Sequence, residues 1–243
     1  MTADKMMLLS TLTSHLHNPL FHTTAMIGPL LAGGLLLAAA STSAGVLSAE
    51  QQQLLAAGNP AEAAGPAKKC GKCHGESGVS DDDEIPHLAA QPASYLFKQL
   101  LDFAADRRDG GRMNKTARKL SEQDMANLVA LFASTELPPM QDEPLPPEPK
   151  LVSSGDTARN LSPCKDCHGA DGKGKADKYD APALAGMPRP YFVAAMQSFK
   201  EGSRQNDADA VMRDAAKTLS VAEIDALAAY YLALGKRQPL PPQ

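Results

Sequence analysis

The apolar residues of this chain recur mainly at helical spacing. Behind Pro92, which can open a helix, Tyr95, Leu96, Leu100 and Phe103 follow a period of three to four residues. A stripe of this kind buries one face of a helix and leaves the other face in water. The pattern predicts an all-α fold.

Capping sequences predict where further helices begin. Asn59-Pro60 predicts a helix that runs into Cys70, with Asn as N-cap and Pro at the first helical position. Ser121-Glu122-Gln123-Asp124 and Ser220-Val221-Ala222-Glu223 each resemble a capping box. Apolar residues follow each box at helical spacing: Met125, Leu128, Val129, Leu131 and Phe132 after the first, and Ile224, Leu227, Ala228, Tyr231 and Leu232 after the second.

The second half of the chain repeats the first. Equivalent residues are offset by 94 positions at the cysteine motifs and by 96 or 99 positions after them, and the small differences in offset place insertions in loops. Two copies of one domain explain this better than one large domain. The matching pairs are Leu88 with Leu184, Tyr95 with Tyr191, Phe103 with Phe199, Arg108 with Arg204, Met113 with Met212, and Ser121 with Ser220.

A proline-rich stretch separates the two copies. Residues 137–150, LPPMQDEPLPPEPK, hold six prolines in fourteen positions, which excludes a regular helix and predicts an extended spacer. The sequence therefore predicts an N-terminal domain over 48–136, this linker, and a C-terminal domain over 151–243.

The first 47 residues are predicted to be an export signal or a membrane anchor. Residues 25–40 form an uncharged apolar run of 16 residues, between the usual lengths of a signal and of a membrane span. Thr42-Ser43-Ala44 then resembles a cleavage site, so a cleaved signal is favoured over a retained anchor. Membrane association through this segment stays an alternative.

The composition favours small helical domains with a bound apolar ligand over nucleic-acid-binding proteins. The chain is 43% hydrophobic but only 5% aromatic and has no Trp. This suits small helical domains that gain core volume from a large apolar ligand. The formal net charge of −4 argues against a nucleic-acid partner.

Two short motifs use all four cysteines of the chain. They read Cys70-Gly71-Lys72-Cys73-His74 and Cys164-Lys165-Asp166-Cys167-His168. C-x-x-C-H is the signature of covalent c-type haem attachment, in which the two thiols bind the haem edge and the adjacent His binds the iron. The sequence predicts two covalent haem c groups, attached through Cys70, Cys73, Cys164 and Cys167, with His74 and His168 as axial ligands.

Other roles for the cysteines are weaker. A Cys-rich zinc site leaves both adjacent histidines unexplained. A thioredoxin-like pair needs a βαβ context, and no strand pattern surrounds either motif. Structural disulfides remain an alternative in an oxidising compartment.

The repeat also indicates one second axial ligand per haem. Met113 and Met212 occupy matching positions, and a thioether favours ferrous iron. Their rivals are His87 in the first half and Met187 in the second, which match Ala183 and Gln91. Choosing either rival would make the two halves differ, so Met113 and Met212 are the predicted ligands.

These features together resemble the tandem dihaem class I cytochromes c of the cytochrome c4 type. Each half shows Cys-x-x-Cys-His-Gly, then Pro-x-Leu-Ala followed by a Tyr and a Phe-ending helix, then Met before Ala-x-x-Leu-Ser. The resemblance covers about residues 60–234. It implies two tandem class I cytochrome c domains, each a few helices around a His/Met-ligated haem. Ala90-Gln91-Pro92 and Gly186-Met187 depart from the family pattern.

The resemblance implies a function as well as a fold. The expected protein is a periplasmic electron carrier, not an enzyme, either soluble or loosely attached to the outer face of the inner membrane. Its expected partners are redox proteins: a donor dehydrogenase or cytochrome complex, and an acceptor such as a terminal oxidase. The chain is also similar to the cytochrome subunit of flavocytochrome c sulfide dehydrogenase, so a subunit role is the alternative. A dihaem enzyme fits less well, because no cysteine is left to act as a distal ligand.

Overall fold

The computed structural model describes residues 47–138, 145–176 and 179–235. In these ranges the regular structure is helical, and extended pairing is limited to two isolated bridges. The all-α prediction is confirmed. None of the helices in these ranges combines the length and apolarity needed to cross a bilayer. Residues 1–46 of the predicted export segment and residues 139–144 of the proline-rich stretch lie outside the described residues.

The first half begins each main helix close to its predicted start. Asn59 caps a short 3-10 helix, Pro60–Ala63, by accepting a hydrogen bond from the Ala61 N–H at 3.1 Å. The chain then continues into the helix that ends with the first motif. The α-helices of this half are α1 (Ala49–Ala56), α2 (Ala64–His74), α3 (Ala93–Ala104), α4 (Arg112–Ala117) and α5 (Glu122–Ala133).

The second half follows the same order. Its α-helices are α6 (Lys150–Ser153), α7 (Cys164–His168), α8 (Arg189–Glu201), α9 (Val211–Thr218) and α10 (Val221–Gly235), with 3-10 turns at Thr157–Arg159 and Ala208–Ala210. The helix carrying the second motif is much shorter than α2, since it starts directly after its N-cap Pro163, whose ψ of 130° is not helical.

Both predicted capping boxes are present. The Ser121 hydroxyl accepts from the Asp124 N–H at 3.1 Å, and the Asp124 carboxylate accepts from the Ser121 N–H at 3.1 Å. Ser220 and Glu223 make the same pair of bonds at 3.2 and 2.8 Å. In each box, two backbone N–H groups at the helix N-terminus gain hydrogen-bond acceptors that the helix itself cannot supply. This fixes where α5 and α10 start.

Helix α1 is one element that the apolar pattern did not reveal. Its sequence is polar and rich in Gln, so it has little periodicity to detect. A capping box between Ser48 and Gln51 starts it, and Leu47 and Leu55 pack against the core of the first half. Tertiary packing of a few apolar residues is enough to hold a short helix of this kind.

Each half has its own hydrophobic core. The N-terminal core contains Phe97 from α3 with Leu128 and Val129 from α5. The C-terminal core contains Val152 and Tyr231, and Leu145 from the proline-rich stretch packs against it. Among the residues that the structure describes, each core draws only on its own half.

A buried group of polar side chains joins the two halves, and we call it the polar seam: Lys98, Gln99, Asp102, Arg204 and Asn206. All five residues are buried. The Lys98 ammonium lies 2.5 Å from the Asp102 carboxylate and donates to the Asn206 carbonyl oxygen at 2.6 Å. The Asn206 side chain donates to Gln99 at 2.9 Å and to Asp102 at 2.7 Å. Helix α3 therefore contacts the loop after α8 through charged as well as neutral hydrogen bonds.

Candidate functional site

The first cysteine motif forms the last turns of α2. Its cysteines are three residues apart on a helix, so Cys70 and Cys73 lie on one side of it. Gly75 ends the helix with φ of 78°, and a Cβ there would lie 1.9 Å from the Val79 carbonyl oxygen. Only glycine fits this turn, which sends the chain back towards His74.

That turn places a backbone acceptor beside the imidazole. His74 is 8% exposed, and its Nδ1 lies 2.9 Å from the Pro86 carbonyl oxygen. A carbonyl only accepts, so Nδ1 carries the hydrogen and Nε2 carries the lone pair. Burial lowers the pKa of His74, opposed in part by the bond to Pro86, and this favours the neutral ring. A neutral imidazole oriented through its other nitrogen is the usual form of a metal-binding histidine.

The second motif repeats this geometry. His168 is 6% exposed, and its Nδ1 lies 2.9 Å from the Pro182 carbonyl oxygen. Gly169 ends α7 with φ of 83°, as Gly75 ends α2. The two halves therefore hold their histidines in the same way, through prolines that are equivalent in the repeat.

All four cysteines are half-buried. Burial raises the pKa of Cys70, and it raises the pKa of Cys164 to about 11. Over the described ranges, no three or more His, Cys, Asp or Glu side chains converge as a metal site. A zinc site built from both Cys pairs therefore finds no support in the geometry.

A cavity of about 750 Å³ lies beside the second motif. Its size is in the range of cofactor sites, which hold roughly 300–1,000 Å³. Its wall includes both thiols and the imidazole of the motif, and Met212 lies on it too. Apolar side chains supply much of the rest: Leu184, Met187, Phe192, Met196, Phe199 and Leu227.

Two buried cations also line this cavity. Lys98 is 7% exposed and pairs with Asp102, whereas Arg204 is 9% exposed and pairs with no carboxylate among the described residues. The Arg204 guanidinium instead bonds to Asn206 at 3.0 Å and lies 4.3 Å from the Phe199 ring centroid. A buried cation without an anion is costly, so the wall suits a ligand that carries carboxylates. Haem, an apolar ring with two carboxylates, fits the thiols, the imidazole and these walls.

The loop before α9 positions Met212. The Asp207 carboxylate accepts from the Met212 and Arg213 N–H groups at 3.1 and 3.0 Å and binds the Arg213 guanidinium at 2.7 Å. These bonds fix the first turn of α9, so the half-buried Met212 side chain packs against the C-terminal core at the cavity wall.

Asn114 supports Met113 in a comparable way. Its side chain is buried, donates to the carbonyl oxygens of Phe103 at 2.9 Å and Arg108 at 2.8 Å, and accepts from the Gly110 N–H at 2.8 Å. Met113 is half-buried and packs against the N-terminal core, which Cys70 also contacts.

The rival ligands are placed differently. Met187 is 7% exposed and lines the same cavity as Met212, so the cavity wall alone does not choose between them. In the first half, His87 accepts the Ser80 N–H on its Nδ1 at 3.0 Å. Its neutral ring therefore carries the hydrogen on Nε2, the tautomer opposite to that of His74.

The repeated tyrosines and arginines meet crosswise. Arg204 donates to the Tyr95 hydroxyl at 3.4 Å, and Arg108 donates to the Tyr191 hydroxyl at 3.0 Å. The repeat singled out all four residues, but it did not indicate that each pair spans the two halves. Lys98, which it missed, matches Ala194, so comparison of the two copies gave no signal for it.

Comparison with known proteins agrees with this geometry. The cytochrome c family model matches residues 156–234. The chain is 34% identical over 178 residues to cytochrome c4 of Pseudomonas aeruginosa, covering 72% of this chain and 88% of that protein. It is 29% identical over 186 residues to a thiosulfate dehydrogenase electron acceptor of Stutzerimonas stutzeri, covering 74% and 83%.

A solved structure gives the same result. The crystal structure of reduced recombinant cytochrome c4 from Pseudomonas stutzeri matches with a TM-score of 0.65 and 30% identity, over 72% of this chain and 98% of that one. With two C-x-x-C-H motifs, two similarly held histidines and these relatives, the chain belongs to the cytochrome c4 family of electron-transfer cytochromes that carry covalently bound haem c.

Proposed function

We propose that each half holds one haem through its own cysteine pair, a proline-oriented histidine and a methionine. The main support is that His74 and His168 are both buried and both donate Nδ1–H to a proline carbonyl at 2.9 Å. Such a bond orients a ligating imidazole and raises its basicity. The proposed iron ligands are His74 with Met113 and His168 with Met212, and the attachment residues are Cys70, Cys73, Cys164 and Cys167.

The proposed role is to carry single electrons. Bound haem supplies the one-electron Fe(III)/Fe(II) couple. The methionine thioether favours the ferrous state, the histidine is held in one orientation, and in the second half apolar side chains supply much of the cavity wall. Each of these side chains serves to hold a redox centre in place, with no bond made or broken on a substrate.

The domain division is also part of the proposal. Domains over 48–136 and 151–243, joined by the linker 137–150, are supported by the separate cores of the two halves. The polar seam would then keep them together after a cut in the linker. Proteolysis within the linker should yield two haem-bearing fragments that still co-elute in gel filtration. Fragments that separate at once would contradict the role given to the seam.

We propose a periplasmic location for the carrier. The apolar run of residues 25–40 and the cleavage-like Thr42-Ser43-Ala44 support export. The N-terminal sequence of the haem-loaded protein tests this: a start shortly after Ala44 indicates a cleaved signal. An intact N-terminus in the membrane fraction would indicate a retained anchor.

The proposed partners are redox proteins, with a respiratory donor complex and a terminal oxidase as acceptor. One relative bears the name thiosulfate dehydrogenase electron acceptor, which supports the alternative that this chain serves a dehydrogenase. Stopped-flow mixing with a candidate dehydrogenase and its substrate discriminates the two. Rapid haem reduction, with co-elution of the two proteins, favours the subunit role.

A redox titration followed by absorption tests the ligand set. We expect two low-spin haems that titrate at high potential, with the far-red band of Met-ligated ferric haem. Met113→Ala and Met212→Ala should each remove about half of that band, and Met187→Ala is the matched control that should keep all of it. If Met187→Ala removes the band and Met212→Ala does not, Met187 is the ligand. A wild-type protein with a high-spin haem at rest would contradict the carrier proposal.

A further inference from the structure

The loop that leads into α9 holds two consecutive residues in a conformation that most side chains avoid. Asp209 has φ of 51° and Ala210 has φ of 59°. The left-handed region is unfavourable for a residue with a Cβ, because the Cβ crowds the following carbonyl oxygen. Aspartate tolerates this region through local hydrogen bonds, whereas alanine has no polar side chain that could make them. Ala210 therefore carries backbone strain two positions before Met212.

The first half leads into its methionine with glycine instead. The offset that pairs Met113 with Met212 pairs Gly111 with Ala210. Gly111 has φ of 54°, which glycine adopts readily. In the described loop between α3 and α4, the non-glycine residue with positive φ is Asp106, an aspartate well before Met113. The two methionine loops thus differ in strain next to the proposed ligand.

Two restraints hold the strained loop of the second half in place. Strain of this kind persists only where the surrounding structure holds it. One restraint is Asp207, whose side chain is 3% exposed, accepts from the Met212 and Arg213 N–H groups at 3.1 and 3.0 Å, and binds the Arg213 guanidinium at 2.7 Å. The other is the Met212 side chain, which packs against the C-terminal core. Release of Met212 removes one restraint, so the first turn of α9 can open and relieve the strain at Ala210.

The loop and the proposed ligand belong to one wall of the cavity. Asp207, Asp209 and Met212 all line it, as does His168 on a different segment of the chain. His168 is oriented by the Pro182 carbonyl and not by this loop, so opening of the loop leaves the histidine in place. Apolar side chains supply much of the remaining wall, which disfavours a charged newcomer. The space that Met212 vacates therefore suits a small neutral molecule.

We propose that the loop over residues 205–211 is a strained closure of the C-terminal haem site, which opens more readily than the Met113 loop and lets a small neutral donor such as imidazole replace Met212. In this exchange the iron–sulfur bond breaks and a bond from the iron to the incoming donor atom forms, with no electron transferred. The inference rests on the proposed ligand pairs. It adds that the two haems differ in their access to small molecules, because only one methionine loop is strained at the residue equivalent to Gly111.

Titration of the ferric, haem-loaded full-length protein with imidazole tests the inference, with the far-red band of Met-ligated haem as the readout. We expect the band to disappear in two phases, and the phase at lower imidazole concentration should be missing from Met212→Ala. Ala210→Gly relieves the strain and should move that phase to about five- to tenfold higher concentration. Glycine also gives the open loop more freedom, which acts in the opposite direction, so a shift to higher concentration reports the strain itself.

Gly111→Ala is the reciprocal variant in the first half. A Cβ at Gly111 would meet no atom within 4 Å, so the substitution adds strain without a clash. It should move the phase of the N-terminal haem to lower imidazole concentration. Hydrogen exchange gives a second readout that needs no added ligand. The Met212 and Arg213 amides, which donate to Asp207, should exchange more slowly in Ala210→Gly than in the wild type.

Two results would overturn the inference. One is a wild type in which both haems lose the band at the same imidazole concentration. The other is an Ala210→Gly protein that keeps the band at rest but whose first phase is unmoved or shifted to lower concentration. Neither result touches the proposed function, which depends on two low-spin, Met-ligated haems before any imidazole is added. A wild type without them would contradict the proposed function instead.

Discussion

Arg108 donates a hydrogen bond of 3.0 Å to the hydroxyl of Tyr191, and this bond joins the two halves of the protein. The repeat-related pair, Arg204 and Tyr95, forms the reverse contact at 3.4 Å. Each arginine also lies over the phenylalanine that precedes it in its own half, at 4.7 Å for Arg108 and 4.3 Å for Arg204. The halves thus face each other through equivalent surfaces, as the two subunits of a symmetric dimer do.

The buried ion pair of the polar seam should matter for stability. Asp102→Ala would leave the Lys98 ammonium, with a side chain only 8% exposed, without its carboxylate. Removing one partner of a buried pair costs about 3–5 kcal/mol, because the remaining charge stays desolvated. Urea unfolding of the haem-loaded protein, followed by circular dichroism, should show a loss of this size.

Asp225→Ala is the control for that experiment. Its pair with Arg189, at 3.2 Å, is half-exposed on both sides. Exposed pairs contribute about 0–1 kcal/mol, since water and salt screen them. Equal losses in the two variants would show that the seam is no stronger than a surface contact.

Gln91 should stabilise the contact between the halves. Its side-chain amide donates to the Ala183 carbonyl at 2.9 Å and accepts from the Ala183 N–H at 3.1 Å. Gln91→Met, which copies Met187 at the equivalent position, leaves both buried backbone groups unpaired. We expect a loss of about 1–3 kcal/mol in the free energy of unfolding.

Gln205→Met gives the comparison for Gln91. Within the described part of the chain its exposed side chain bonds only to the nearby Gly202 carbonyl, at 2.7 Å, so the substitution should change stability by less than about 0.5 kcal/mol. A similar small change in Gln91→Met would mean that water replaces its contacts.

Substitution by alanine should have opposite effects at Gly75, which ends α2, and at Gly65, which lies inside it. Gly75→Ala adds a Cβ 1.9 Å from the Val79 carbonyl at a φ of 78°, so the turn that positions His74 must distort. We expect fewer haems per protein after expression, measured by the pyridine haemochrome assay. A Cβ at Gly65, inside α2, would have no neighbouring atom within 4 Å. Gly65→Ala should therefore stabilise the helix by up to about 1 kcal/mol, because alanine has the higher helix propensity. Normal haem content in Gly75→Ala would contradict the role given to this turn.

The ion pair at the start of α10 should make stability depend on pH in acid. Hydrogen bonds from Arg159, then from Ser220, lower the pKa of Glu223 to about 2 from a usual value of 4.5. A carboxylate with a lowered pKa stabilises the fold above its unfolded pKa, and this contribution is lost as the pH falls towards its folded pKa. The stability difference between wild type and Glu223→Gln should therefore be largest above about pH 5 and shrink towards pH 2.

Repeating this comparison in an Arg159→Gln background isolates the pair. Arg159 donates to both Glu223 oxygens, at 2.7 and 3.1 Å. Without it, the effect of Glu223→Gln should lose most of its pH dependence. An unchanged profile would assign the effect to the capping box at Ser220 alone.

Local sequence was enough to predict the two motifs and the helices that have a capping sequence or an apolar stripe, although not the polar helix α1. A capping box spans Ser121 to Asp124, an attachment motif spans Cys70 to His74, and the apolar period of α3 fits within one helix. These interactions join residues three or four positions apart, so they form within one segment and do not depend on contacts with distant parts of the chain. The repeat extended each inference from one half to the other.

Tertiary structure alone decided the contacts between distant segments. The acceptor of His74 lies 12 residues away at Pro86, and the Asn206 partner of Lys98 lies 108 residues away. Lys98 has no matching lysine in the second half, and Ala210 stands where the first half has Gly111. The docking of one half on the other determines which groups are buried together, and no short-range pattern encodes it. The sequence therefore determined what each half contains, including these differences, and packing determined which groups of the two halves meet.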